Sequence, residues 1–522
     1  MSILLQLFLA FPSNLVFLPI AAVLLLLVLP EDKPIWIKGV VLSVAVLEFF
    51  LSLHIGYHMQ NTGVLDQFVL DLVWIQTWHV HYMLAVDGVS ALMLILTSGL
   101  MITGLIGTWN SVTQNIKLYS ICLMLLLSGM MGVFLAVDLF LFFVFWELML
   151  VPMYLLIGIW GGEARVYASL KFVLYTMAGS VLMLLAIIYL YFKAGHTFSL
   201  LAMYSQDNFF LSFHEQLWLF AAMGLAFAIK VPLFPFHTWL PDAHVQAPTM
   251  GSVLLAGILL KMGVYGFFRF AIPLFPQATY YLQPYLMGLA AFGVVYGALV
   301  AMVQTDIKKL IAYSSVSHMG VVMLGVFSLN QTGMTGGLYQ MLNHGVSTGA
   351  LFLMVGMLYD RTHTRKIADY SGLAKMMPVF TVLFFIVTLS SIAVPLTNGF
   401  VGEFLTLLGS FQVSQGWTIV AATGVILGAV YMLTLFQNIF LGPVKITHGT
   451  RENDLRALDV LAIAPLLVMI LWMGLAPNLF LIKLELPAET VLLKMNEVQT
   501  SKAVLHVDDL LAVQGNSTAT TP

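Results

Sequence analysis

The chain has 522 residues, of which 60% are hydrophobic and 9% charged, and its formal net charge is −3. A soluble protein carries roughly 25% charged residues, so this chain cannot cover a water-facing surface, and lipid must solvate most of it. The near-neutral balance excludes a basic nucleic-acid surface. The lone cysteine, Cys122, and the lack of a Gly-rich phosphate loop leave no sign of a metal, redox or nucleotide centre in the chain itself.

Residues 3–29 are apolar, without the basic start and small-residue cleavage site of a signal peptide, and read as a first membrane helix. A hydrocarbon core about 30 Å thick takes roughly 20 apolar residues per crossing. That ruler predicts helices over 3–29, 35–57, 83–107, 116–136, 139–160, 168–192, 217–240, 247–271, 282–303, 309–329, 335–358, 377–409, 417–441 and 457–482. The expected fold class is therefore an all-α integral membrane protein of about fourteen transmembrane helices. Between the second and third helices, residues 61–82 are an outer loop rich in Val, Trp and His, expected as a small hairpin. Residues 484–500 are weakly amphipathic, and 507–522 read as a disordered tail.

The basic residues test this map. Lys33, Lys38, Lys117, Arg165, Lys171, Lys308, Lys309, Arg361, Arg365, Lys366, Lys375, Lys445, Arg451 and Arg456 all fall on one side. The other side holds Lys193, Arg269 and the lysines of the tail. The positive-inside rule makes the crowded side cytoplasmic and puts both termini outside.

Four charges remain inside predicted helices: Glu147 in LFFVFWELMLVPMY, Lys230, Lys261, and Glu403 in PLTNGFVGEFL. Each costs roughly 2.5–3.5 kcal/mol at the bilayer centre. Glu48, in the second helix, has no polar company, and both a structural and a lipid-adjacent place stay open for it. Lys230 precedes Pro232, Pro235 and Pro241 in KVPLFPFHTWLPDAH, and Glu403 follows Pro395–Leu396–Thr397–Asn398–Gly399. Prolines break the helical ladder, and irregular backbone at membrane depth survives only inside protein or beside a water-filled cavity. Broken helices in two halves, each beside an intramembrane charge, are a transporter pattern. Static ion pairs are the competing explanation. The histidines weigh against it: His318 follows Ser314 by one turn, and Gln340, His344 and Thr348 form a second stripe at the same spacing. Histidine titrates near neutrality and passes protons between its two nitrogens. Moving Glu147 relative to Lys230 would switch that lysine between holding and releasing a proton, and Lys261, His318, His344 and Glu403 would continue the line.

At these residues the chain resembles a known family. KVPLFPFHTWLPDAHVQAPTMGSVLLAGILLKMGVYG, DIKKLIAYSSVSHMG and DRTHTRKIADYSGLAKMMP closely resemble the M-type (chain 4) antiporter-like subunits of proton-pumping NADH:quinone oxidoreductase, respiratory complex I, and the resemblance spans about residues 80–480. It implies two inverted five-helix repeats, with helices seven and twelve broken. The domains would then be 1–115 (three helices and the outer loop), 116–271 (first repeat), 282–441 (second repeat), 442–482 (loop and last helix) and 483–522 (amphipathic segment and polar tail). It implies a proton-carrying role for Glu147, Lys230, Lys261, His318, His344 and Glu403. The glutamate at 403 matches M-type subunits, whereas L-type, N-type and antiporter relatives usually carry lysine there.

The resemblance further implies that NADH oxidation and quinone reduction occur in other subunits. Those subunits would hold FMN, iron–sulfur clusters and quinone, with no cofactor or metal in this chain. Expected partners are the other membrane-arm subunits, with L-type and N-type neighbours on either side, and lipid; the expected place is a bacterial inner (plasma) membrane. A multi-subunit cation/proton antiporter and a ferredoxin-linked or hydrogenase complex of the same superfamily are the alternatives.

Overall fold

A computed structural model describes residues 11–60, 65, 67–205, 211–445 and 454–496. Among them, twelve helices are long and apolar enough to cross a membrane. In chain order the first two are α1 (Phe11–Val28) and α2 (Pro34–His58). Next come an antiparallel hairpin, β1 (Gln67–Ile75) and β2 (Val80–Val86), and the helices α3 (Gly88–Gly107) and α4 (Ile116–Leu135). After these come α5 (Leu139–Trp160) and α6 (Arg165–Lys193). The chain then forms an interrupted pair, α7 (Phe213–Lys230) and α8 (Trp239–Gln246), followed by α9 (Thr249–Leu274), α10 (Pro276–Met302), α11 (Ile307–Val326) and α12 (Gln331–Thr362). A second interrupted pair, α13 (Pro378–Ser391) and α14 (Asn398–Val413), leads to α15 (Gln415–Phe440) and α16 (Ala457–Leu475). A last helix, α17, covers residues 478–496.

The hairpin stands where the sequence predicts it but reaches further. Its second strand runs to Val86, so the third membrane helix begins at Gly88, five residues later than hydropathy places it. Asp87 sets that start, because its carboxylate accepts the Ser90 N–H at 2.9 Å and so satisfies a free donor of the first turn. The predicted last crossing, 457–482, is two helices: α16 ends at Leu475, and α17 lies against the end of α2 and the starts of α3, α10 and α12. Leu484, Ala488, Val491 and Met495 of α17 are buried at helical spacing. Its backbone is held by Gln331 Nε2 donating to the Glu485 carbonyl at 2.7 Å, and Lys483 Nζ donates to the Gly56 carbonyl at 2.9 Å. The tail assigned to 507–522 lies outside the described residues.

The two interruptions fall where the prolines lie. After Lys230 the ladder stops. The Leu233 N–H reaches back to the Ala228 carbonyl at 2.8 Å, and Trp239 Nε1 donates to the Ile229 carbonyl at 2.9 Å. Pro232 has no N–H for the Ala228 carbonyl, so Leu233 bonds it instead, and the Trp239 indole takes Leu233's place at Ile229. At the second break Ala393 and Leu396 take positive φ, 54° and 74°. Ser390 Oγ donates to Asn398 Oδ1 at 2.6 Å, and Asn343 Nδ2 donates to the Asn398 carbonyl at 2.7 Å.

Position in the bundle separates two kinds of helix. The apolar stretches of α9 and α12 are wholly buried, whereas those of α2 and α15 are only 33% buried and face outward. The two central helices are the ones that carry Lys261 and His344. In α9, π-helical turns at Leu255–Leu259 and Phe267–Ala271 flank the Lys261 segment. Such turns recur at functional sites because they re-aim the side chains beside them.

Small residues let α7 and α9 touch: a Cβ on Gly263 would lie 2.6 Å from the Phe227 carbonyl oxygen. Gly263→Val is therefore expected to part these helices beside the Lys230 break and to reduce sharply the chain recovered in membranes. Immunoblotting of membranes checks this, and normal accumulation would count against so close a contact.

Candidate functional site: a buried line of ionisable side chains

Glu147 sits mid-way along α5, half-buried, just before the kink between Leu148 and Leu150. Lys230 ends α7, is 2% exposed, and has its Nζ 4.9 Å from the centre of the Trp146 ring. A cation over an indole face is attracted by the ring's quadrupole, and Trp146 is itself held by Nε1 donating to Ser180 Oγ at 3.1 Å. Among the described residues Lys230 makes neither a hydrogen bond nor an ion pair. Glu147 reaches it through its field alone. The pair expected from the sequence is thus placed together, but not in contact.

The other four predicted residues form an almost continuous line. Lys261, fully buried in α9, bonds the Ala256 carbonyl, and its Nζ lies 2.6 Å from His344 Nδ1. With the lysine donating, Nδ1 accepts and the ring proton rests on Nε2. The His344 and His318 rings are 5.9 Å apart, and the Nε2 atom of each is buried without a partner among the described residues. His318 Nδ1 is 3.1 Å from Glu403 Oε1, which also accepts from Gln340 Nε2 at 3.1 Å. Gly402 makes room for this cluster, since a Cβ there would meet Gln340 Oε1 at 2.4 Å and Asn343 Nδ2 at 2.6 Å. Lys261, His344, His318 and Glu403 thus lie in sequence on α9, α12, α11 and α14. Lys230 stands apart from this line.

Some groups carry more than the sequence suggests. Lys308, assigned to a loop, is buried at the start of α11, where Nζ donates to the Ala247 carbonyl at 2.9 Å. Arg269, assigned to the opposite loop, is buried in α9 and paired with Asp87. In both cases hydropathy places a cation at a helix end, and a neighbouring segment folded over it provides partners. His244 was not singled out at all. It lies fully buried in α8, its ring stacked on Phe352 at 4.4 Å and 5°, and both nitrogens lack a partner among the described residues. The fields of Lys308, Lys261 and His344 converge on it. Its one signal in the sequence is the seven-residue step from His237, which a broken helix obscures. Glu48 is fully buried, and its carboxyl oxygens have no partner among the described residues.

A cavity of about 370 Å³ opens on the Lys/Arg-rich side, lined among others by Arg165, Gln246, Thr249, Lys308, Asp360 and Arg365. Lys308 joins it to the region of His244. The arrangement can bind, hold and pass protons without covalent chemistry: a solvent-facing cavity, then a cation, then imidazoles with free nitrogens, then a carboxylate.

Residues 136–428 match the family described as NADH:quinone oxidoreductase/Mrp antiporter, transmembrane. The chain is 44% identical over 485 residues to NADH-quinone oxidoreductase subunit M of Rickettsia conorii, a match covering 92% of this chain and 98% of that one. Among solved structures, a chain of respiratory complex I from Thermus thermophilus superposes with a TM-score of 0.84 at 35% identity, covering 92% of this chain and 99% of its own. A chain of the Mrp complex from Dietzia superposes with a TM-score of 0.82 at 23% identity, covering 94% and 98%, a likeness of fold.

Proposed function

The chain belongs to the transmembrane family of NADH:quinone oxidoreductase and Mrp antiporter subunits, among those named subunit M, and from this premise we propose that it is a proton-translocating membrane-arm subunit of an NADH:quinone oxidoreductase. Electron transfer would take place in partner subunits that hold FMN, iron–sulfur clusters and quinone. L-type and N-type subunits would flank this one, in a bacterial inner membrane, with the basic side cytoplasmic and both termini outside. The helices of 116–271 and 282–441 would be inverted repeats, each contributing one broken helix.

The observation that carries the reading is the contiguity of Lys261, His344, His318 and Glu403 in the buried centre of the bundle. A proton arrives from the cytoplasmic cavity past Lys308 and His244 and is held as the Lys261 ammonium. Lys261 gives it to His344 Nδ1, and His344 releases the proton on Nε2. Water in the gap carries that proton to His318 Nε2, and His318 passes its Nδ1 proton to Glu403 Oε1. Each histidine then returns to its starting tautomer by a ring flip or exchange. Glu147 and Lys230 set the field at the entrance: approach of the carboxylate favours a charged Lys230, which repels a second cation at Lys261. Each charge moved costs about 2.3 kcal/mol per 100 mV, so transfer must be driven by quinone reduction elsewhere.

The test is native electrophoresis of gently solubilised membranes, followed by pumping assays. The chain is expected in a very large band that oxidises NADH. Lys230→Ala and Glu147→Gln are expected to leave that band intact while sharply reducing proton pumping. A smaller assembly without NADH oxidation would refute the complex, and normal pumping by the assembled variants would refute their role.

A further inference from the structure

A second and larger cavity, about 570 Å³, opens on the same basic side over the other half of the chain. Its walls come from the α10–α11 junction, the loop around Tyr370 and α15. Its floor is Tyr431, 2% exposed, which lies roughly 15 Å along α15 from the helix end at the surface. The Tyr431 hydroxyl donates to Ser314 Oγ at 2.9 Å, and Ser314 is itself buried on α11, one turn before His318 on the same face.

Among the apolar side chains of the wall, α15 contributes polar ones. Toward its start α15 exposes Ile419, Val420 and Ile426. Along the cavity it turns Thr434, Gln437 and Asn438 outward. Gln437 and Asn438 lie within the last turn, but Thr434 stands about 9 Å inside the helix end, where a polar side chain is costly against hydrocarbon and is tolerated beside water. The charged and titratable groups that face Tyr431 are Lys445 and Tyr370 within the cavity and Glu403 across the Ser314 bridge. Glu403 carries the far end of the proposed line, so this cavity reaches that end without passing Lys261.

We propose that this cavity is a second proton inlet from the basic side, serving the His318–Glu403 end of the line through the Tyr431 and Ser314 hydroxyls. The step conserves protons. Tyr431 Oη takes a proton from cavity water as its own passes to Ser314 Oγ, and Ser314 gives its original proton to water beside His318 and Glu403. Both hydroxyls end neutral with their bonds reversed, and one proton has crossed. Glu403 thus receives a second proton in each cycle, after the one delivered from Lys261 has left, and both arrivals are needed to complete a turnover. The inference rests on the relay proposed above.

The experiment uses the assembled complex in inverted membrane vesicles, in which the basic side faces the medium. Tyr431→Phe removes the hydroxyl and keeps the ring. It is expected to slow coupled proton translocation about tenfold at neutral pH, a barrier change of about 1.4 kcal/mol, and to recover as the medium is acidified and proton uptake ceases to limit the rate. Ser314→Ala is expected to behave likewise. In Thr434→Cys, a charged methanethiosulfonate added to the medium is expected to block translocation, while the unsubstituted chain, whose Cys122 is buried, is unaffected. Wild-type rates in assembled Tyr431→Phe, a loss that acid does not relieve, or a Thr434→Cys chain indifferent to the reagent would overturn the inlet. Glu403→Gln separates the two claims. If it abolishes pumping while Tyr431→Phe does not, the inlet alone is wrong. If it pumps normally, the relay and the inlet both fall.

Discussion

Lys261→Met is expected to give a complex that assembles normally and pumps at least about a hundredfold more slowly, the usual scale for removing a proton-transfer group. Assembly should survive because of what surrounds the lysine. Its Nζ is bonded to a backbone carbonyl and to an imidazole nitrogen, with no carboxylate beside it. Methionine has nearly the same length and fills the same apolar space. Its introduction leaves His344 short of one neutral hydrogen bond and strands no opposite charge. What disappears is the one group in α9 able to hold a proton between the cavity on the basic side and His344. Native electrophoresis and the quench of a pH-sensitive dye in vesicles measure the two halves of this expectation. Assembled variants that pump at the parental rate would remove Lys261 from the path.

Arg269→Met is expected to fail in the opposite way, with little or no assembled complex. Arg269 and Asp87 are 4% and 1% exposed, and they pair directly. The pair is embedded in a set of bonds: Arg269 Nε donates to the Tyr265 hydroxyl at 3.2 Å, that hydroxyl lies 3.1 Å from Ser90 Oγ, and Tyr204 donates to the Arg269 carbonyl at 2.7 Å. Asp87 also caps α3 directly after the hairpin. Removing the guanidinium leaves a buried, uncompensated carboxylate, a loss of about 3–5 kcal/mol in comparable sites. Asp87→Asn introduced together with Arg269→Met removes the stranded charge and keeps a capping oxygen, so it should recover part of the assembly. The yield of intact complex and its thermal midpoint check this. An Arg269→Met complex as stable as the parent would show that the pair contributes little to the fold. An assembled Arg269→Met complex that fails to pump would place Arg269 on the proton path instead.

The contrast between these lysine and arginine substitutions follows from the partner each cation has. Neither partner can be read along the chain. Lys261 meets His344 across 83 positions, His318 meets Glu403 across 85, and Arg269 meets Asp87 across 182. Hydropathy placed Arg269 and Lys308 at helix ends, which is where their backbones are. It has no access to the segments that fold over them, so it took both for loop residues. His244 gives no local signal for the same reason: its surroundings are Phe352, Lys308 and Lys261, which stand on three other helices.

What the sequence determined by itself is whatever the bilayer imposes on each short stretch. The length of a crossing, the cost of a charge within one and the breaking of a helix by proline act on neighbouring residues. The membrane class, the hairpin, the two interrupted helices and the charges well inside a span, Glu48, Glu147, Lys230, Lys261 and Glu403, are therefore legible from local pattern. The start of the third crossing and the end of the last differ from the hydropathy bounds, because a strand and a helix lying across the end of the bundle can be as apolar as a membrane span. Only the tertiary structure decided which charges touch, which stand apart and which cavities reach them. It placed Lys261, His344, His318 and Glu403 in line, held Glu147 off Lys230, and set Tyr431 and Ser314 between a cavity and Glu403. Those relations depend on the packing of four or five helices at once, and packing is a property of side-chain shape across the bundle that no single stretch of chain encodes.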